Sequence, residues 1–193
     1  MRFPTILYLL CVCILISWHS TPADATIVDS KTATYACALP KGGSRQGTSA
    51  AQAISADLVI ELLHWIKTNT DYDVTPSERD PPKITFCETG AWINYEGSTI
   101  LVEENLQAMY DFPNGTILIV QPWSAQSPHD VSALLHELIH DVQMRARSWE
   151  CIQAPEWQAY KLQEKWLAEK GIASGFDWLQ IYFLSRCPKG IHP

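Results

Sequence analysis

The chain has 193 residues, with 14 basic and 21 acidic side chains, a formal net charge of −7, and 47% hydrophobic residues. That length supports one domain with its own core, and the composition is not that of a disordered or fibrous chain. An acidic chain without a basic run is a poor partner for phosphate backbones, which argues against nucleic acid.

The N-terminus carries Arg2, an apolar run from Ile6 to Ile16, and small residues ending in Ala23-Asp24-Ala25. These are the three parts of a secretory signal peptide. The run is shorter than the roughly 20 residues of a membrane span, so cleavage near Ala25 is expected rather than retention as an anchor. A secreted or periplasmic product follows. Residues 1–25 hold one base and one acid, Arg2 and Asp24, so the charge of −7 survives cleavage. Cys11 and Cys13 leave with the segment and sit in no convincing lipoprotein box. No later apolar stretch is long enough to cross a bilayer, so the mature chain is expected to have no membrane span.

Cys37, Cys87, Cys151 and Cys187 remain. An even number in an exported chain predicts two disulfides with three available pairings, of which Cys37–Cys87 with Cys151–Cys187 is favoured. No C-x-x-C pair supports a zinc-thiolate site instead.

Residues 26–48 are polar and rich in Gly, Ser and Thr, and read as an arm or loop ahead of a domain over 49–193. From Ala50 to Lys67 the positions Ile54, Leu58, Ile60, Leu62, Leu63, Trp65 and Ile66 recur at helical spacing, which predicts an amphipathic helix. Asn69 to Pro82, with three prolines, reads as a loop. Extended segments are expected at Lys83–Cys87, around Ser98–Val102, and at Thr116–Gln121, which is β-branched, apolar and stopped by Pro122. Pro113-Asn114-Gly115 is a turn that can join the last of these to a strand around Met109–Phe112. Asn114-Gly115-Thr116 also fits the N-glycosylation pattern, but the turn is the preferred reading.

Ser127-Pro128-His129-Asp130 is a helix start: Ser127 can cap, Pro128 suits the first position, and Asp130 completes a capping-box-like pair. That helix is expected to run to about Arg147. A second is expected from Ala154-Pro155 to about Lys170, ended by Gly171, and a last from Phe176 to Ser185. With no internal repeat, the predicted fold class is α+β in one domain.

The third helix region carries His136-Glu137-Leu138-Ile139-His140. Side chains four apart stand over one another on a helix, so His136 and His140 can offer two imidazole nitrogens to one tetrahedral Zn²⁺. Glu137 sits beside them, suited to take a proton from a water activated by the ion. Leu134, Leu135, Leu138 and Ile139 give the helix an apolar body whose burial would hold the histidines rigidly. Zinc needs a third protein ligand, and Asp141, Glu150, Glu156 and Glu164 are available downstream. Asp141 points about 100° away from His140 on the helix and suits a supporting role, orienting a histidine. Glu150 falls in the following turn. Glu156 begins the next helix, where a short antiparallel return brings it back, and is the favoured ligand.

Glu156-Trp157-Gln158-Ala159-Tyr160 resembles the E-x-x-A-[D/Y] element of gluzincin-type zinc peptidases. A similar segment supplies the third zinc ligand in the membrane peptidases that process CAAX proteins, although this chain lacks their membrane helices. The stretch from Met109 to Leu167 also resembles an uncharacterised bacterial family of exported, zincin-like proteins. The pieces that match are Met109-Tyr110-Asp111, the Gly115–Val120 strand, Leu135 to His140, Cys151, Glu156 to Gln163, and Trp166-Leu167. The resemblance implies a zincin-like fold: an active-site helix beneath a small twisted sheet, with a second ligand-bearing helix nearby. It also implies that Thr116–Gln121 is the sheet edge beside the zinc, pairing with an extended peptide. The implied activity is hydrolysis of a peptide or protein substrate with Glu137 as general base. Tyr160, Tyr110, His129, Tyr182 and Arg186 are candidates to stabilise the oxyanion.

Other features read as structural: the tryptophans as core or rim, with Trp157 and Trp166 on a packed helix face, and His64 as a helix residue outside any site. Two further readings are a zincin-fold binding module without catalysis and a zinc-dependent hydrolase of another amide. Neither a cleavage preference nor an oligomeric state follows from the pattern.

Overall fold

The computed structural model describes residues 54–95 and 98–188. Ala50 to Ala53, residues 26–48, the signal-peptide segment and Cys37 lie outside the described residues. The architecture is α+β, a small sheet with helices against it, as composition and periodicity predict.

Helix α1 spans Ala56–Asn69, capped by Ser55, whose hydroxyl accepts from the Leu58 N–H at 3.2 Å. Its buried stripe is Val59, Leu62, Leu63 and Ile66, the i, i+3, i+4, i+7 set of one helix face. Ile60 was expected on that face but is 64% exposed, because it stands one residue round from Val59. The predicted loop over 69–82 contains a short helix, α2 (Thr75–Arg79), started by Pro76 in its first turn.

Strand β1 (Lys83–Glu88) is followed by β2 (Trp92–Tyr95) and β3 (Ser98–Leu101), which form an antiparallel hairpin of their own. The partner strand β2 was not foreseen. Strands β4 (Ala108–Asp111) and β5 (Thr116–Gln121) are joined by a 3-10 turn over Phe112–Asn114, closed by Gly115 at φ +56. That left-handed conformation is why glycine stands there. Sheet order is β1-β5-β4, with β1 parallel and β4 antiparallel to β5.

Thr116–Gln121 is therefore the middle strand, not the edge. The physical reason is two-sided burial. Ile117 and Ile119 join the core shared with the helices, while Leu118 and Val120 face a second cluster with Cys87, Ala91, Ile93 and Val102. A strand apolar on both faces needs cover on both.

Helix α3 spans Pro128–Ala146, with the Ser127 hydroxyl accepting from the Asp130 N–H at 3.3 Å. Asp130 does not reach back to Ser127; its carboxylate accepts from the Ser124 N–H at 2.8 Å. Every residue from Val131 to Gln143 is buried, so α3 is the central rod, packed on α1, α2, β4, β5 and the next helix. Helix α4 spans Glu156–Glu169 and buries Ala159, Leu162, Gln163, Trp166 and Leu167. Gly171, at φ +74, turns the chain so that Ile172 N–H reaches the Leu167 carbonyl at 3.0 Å. Helix α5 is Trp178–Leu184, shorter than predicted, with Asp177 capping Leu179 and Gln180 N–H at 3.0 Å each.

The Cys151–Cys187 disulfide forms as favoured, with a Cα–Cα distance of 5.6 Å, tying the turn after α3 to the segment after α5. Cys87 is buried and disulfide-bonded, while its expected partner Cys37 lies outside the described residues. Among the described residues no helix is long and apolar enough to cross a membrane.

Candidate metal centre

Four side chains from the neighbouring helices α3 and α4 meet in a cleft of about 180 Å³ that β4 also lines. Residues His136, Glu137 and His140 come from α3, and Glu156 is the first residue of α4. Helical spacing sets the two rings edge to face, with centroids 4.6 Å apart.

The inner atoms form a tight triangle. His136 Nε2 lies 3.0 Å from His140 Nε2 and 3.2 Å from Glu156 Oε2, and His140 Nε2 lies 3.3 Å from Glu156 Oε1. Zinc bonded at about 2.0–2.1 Å in a tetrahedron separates its ligand atoms by about 3.3 Å. Two imidazoles and a carboxylate at that spacing therefore match a zinc ion's donor set and size.

The outer ring nitrogens show which way the inner ones are set. His136 Nδ1 is 3.0 Å from Gln163 Oε1, and Gln163 Nε2 donates to Ser132 Oγ at 3.1 Å. His140 Nδ1 is 3.0 Å from Gln143 Oε1, and Gln143 Nε2 donates to the Pro155 carbonyl at 3.3 Å and to Gln158 Oε1 at 3.2 Å. Those second partners assign the amide orientations, so each glutamine presents an oxygen to its histidine. Both Nδ1 atoms must then be N–H donors, and in the neutral rings both Nε2 lone pairs point at each other and at a carboxylate. A positive charge between them, whether a proton on one ring or a bound cation, relieves that repulsion.

The electrostatics agree. Burial works against charge on His140, yet Glu156 and Glu137 together hold its pKa above the ordinary histidine value. Burial also pushes Glu156 up, but the two imidazoles outweigh it and hold its carboxyl well below the usual range. Glu137, 7% exposed, is pushed upward, chiefly by burial, with the imidazoles opposing. A carboxyl so placed moves a proton more readily than an exposed one.

Tyr160 stands one turn after Glu156 on α4 and lies edge-on to the His136 ring, centroids 4.5 Å apart. Burial, then Glu156 and Glu137, raise its hydroxyl pKa, so it stays a neutral donor lining the cleft.

Of the remaining sequence candidates only Tyr110 lines the cleft. Asp141, expected to orient a histidine, is fully buried, and its hydrogen bonds among the described residues go to other side chains. Its Oδ1 accepts from the Tyr110 hydroxyl at 2.8 Å and from Arg145 Nε at 2.9 Å. Tyr110 lines the cleft with its hydroxyl already donated to Asp141. Glu150 is exposed in the turn after α3, and Glu164 accepts from the Trp178 indole at 3.0 Å. His129 and His64 are exposed, and Tyr182 is bonded to Arg186. Trp166 is core, whereas Trp157 is 39% exposed against Trp178 and Tyr182.

Gln143 and Gln163 are the residues that sequence reasoning missed. Their signal is a buried-side amide at helical spacing: Gln143 three after His140, and Gln163 three after Tyr160 on the face of Glu156.

No curated protein and no solved structure matches the chain. A family model described as "Domain of unknown function (DUF6647)" matches residues 50–193, which include every residue of the centre. The chain belongs to the DUF6647 family.

Proposed function

We propose that the protein is an exported zinc-dependent peptidase with a zincin-like fold, in which His136, His140 and Glu156 hold Zn²⁺ and Glu137 is the general base. The observation that carries this reading is the pair of glutamine-locked histidines, whose Nε2 atoms converge with Glu156 at 3.0–3.3 Å. Zinc held there supplies a water acidic near neutral pH and an electrophile for the scissile carbonyl. The chain's own residues do the rest. Glu137 takes up a proton on its carboxylate and returns it to the leaving amine. Tyr160 offers its hydroxyl proton to the developing oxyanion. The apolar walls of the cleft, among them Ala108, Met109 and Met144, limit competing water.

An extended peptide is the fitting substrate. β4 is the outer strand of its three-stranded sheet, and Ala108, Met109 and Tyr110 line the cleft directly, so backbone pairing along β4 would lay a peptide past Glu137. The role that the resemblance gives to β5 passes to β4. The apolar N-terminal run and the Cys151–Cys187 disulfide support export.

A quenched-fluorescent peptide library, read with wild type and Glu137→Gln, tests the activity. Wild type is expected to cleave, and Glu137→Gln to lose about 10²–10⁴-fold in kcat with its zinc retained. Zinc in both proteins with turnover in neither would instead identify a binding module.

A further inference from the structure

A second cavity, of about 490 Å³, opens beside the metal cleft. Phe112, Met144 and Ile152 line both, so they are the wall where one passes into the other. Beyond them the cavity is walled by Trp149 and by two arginines, Arg145 and Arg147, in a chain whose net charge is −7.

The arginines differ. Arg145 is already paired within the chain, with buried Asp141 at 2.9 Å and exposed Asp80 at 3.7 Å. The Arg147 guanidinium carbon lies over the Trp149 ring, 3.8 Å from its centroid, and among the described residues no carboxylate lies within ion-pairing distance of it. Trp149 is itself fixed, its indole N–H donating to the Gln143 carbonyl at 3.1 Å. The cation thus stands on a platform anchored to the residue that orients His140. A stacked guanidinium keeps its edge free for a carboxylate and loses little freedom on binding one. A cation placed only to complement the C-terminus of α3 would require neither the ring beneath it nor the cavity in front of it.

We propose that this cavity is a substrate subsite that takes an apolar stem ending in a carboxylate, with Phe112, Met144 and Ile152 around the stem and Arg147 on the charge. The proposal rests on the peptidase reading for its substrate, though the pocket's preference can be measured without turnover. The carboxylate is either a glutamate side chain or the free C-terminus of the peptide. Arg147 is a specificity residue and takes no part in the chemistry.

The test is equilibrium binding by fluorescence anisotropy to the zinc-treated Glu137→Gln protein. The probes are fluorescein-labelled alanine hexapeptides with Glu, Gln or Lys at each position in turn, each with a free or amidated C-terminus. The same measurement is made with Arg147→Gln and Arg147→Glu added, their folding checked by circular dichroism. At one position Glu is expected to bind about fivefold tighter than Gln, a preference lost in Arg147→Gln and turned toward Lys in Arg147→Glu. If the gain follows the free C-terminus instead, the terminal carboxylate is the group recognised. Equal binding of charged and neutral peptides, absence of binding, or a preference indifferent to Arg147 overturns the proposal. An Arg147-dependent preference in a protein that holds no zinc and cleaves nothing sinks the peptidase reading and leaves the subsite standing.

Discussion

His136 and His140 are held by side chains that do not themselves reach the centre. Gln163 and Gln143 each accept from an Nδ1–H, and each is pinned by a further partner, Ser132 for one and the Pro155 carbonyl with Gln158 for the other. Gln158 also accepts from the Tyr72 hydroxyl at 2.5 Å, so the support of His140 reaches the segment after α1. Replacing either glutamine with leucine leaves the ring free to rotate and removes the preference for Nε2 as the lone-pair atom. Gln143→Leu and Gln163→Leu are each expected to weaken zinc binding about 10–100-fold, read by competition with a chromogenic chelator. An unchanged affinity in both would mean that packing alone orients the rings.

At the scale of elements, α3 is both the core and the carrier of the site. Leu134 is fully buried between the motif's own turn and the surrounding layers, and Leu134→Ala is expected to cost about 2–5 kcal/mol in urea unfolding of the metal-free protein. Chelator must be present, because bound zinc would add its own stabilisation to the folded state. Helix α3 was readable from sequence because its signals are local: Ser127 and Pro128 at the start, then imidazoles and leucines at helical spacing. Helix α4 and the Gly171 stop were readable for the same reason. Short elements were not. β2 is Trp-Ile-Asn-Tyr, where only Ile93 is buried, and α2 is one helical stretch of five residues among prolines. Strand order is a matter of tertiary contact. The all-apolar run of β5 is what a strand covered on both faces requires, whereas the family resemblance implied an edge. Of the centre, the three candidate donors were legible because metal chemistry imposes such a spacing. The supporting glutamines, Gln143 on α3 and Gln163 on α4, were not, since a polar residue on a helix reads as solvated until its facing helix is known.

For the whole molecule, the Cys151–Cys187 bridge closes a stretch with a sequence separation of 36 and holds the Trp149–Ile152 turn close to the end of α5. Chain-entropy reasoning gives about 4 kcal/mol for a loop of that length. The Cys151→Ala, Cys187→Ala double variant is expected to lose about 2–4 kcal/mol in equilibrium urea unfolding, and a loss near zero would show that the helix packing already fixes this region. The bridge, the central α3 and the antiparallel outer strand β4 together present one cleft in which three donors face inward. The most direct measurement is the zinc content of the purified mature protein after zinc incubation and gel filtration, read by mass spectrometry of the metal. About one zinc per chain is expected for wild type and for Glu150→Ala, and little in His136→Ala, His140→Ala or Glu156→Ala. A wild-type protein that emerges without metal, or a Glu156→Ala variant that keeps its full complement, would contradict the account.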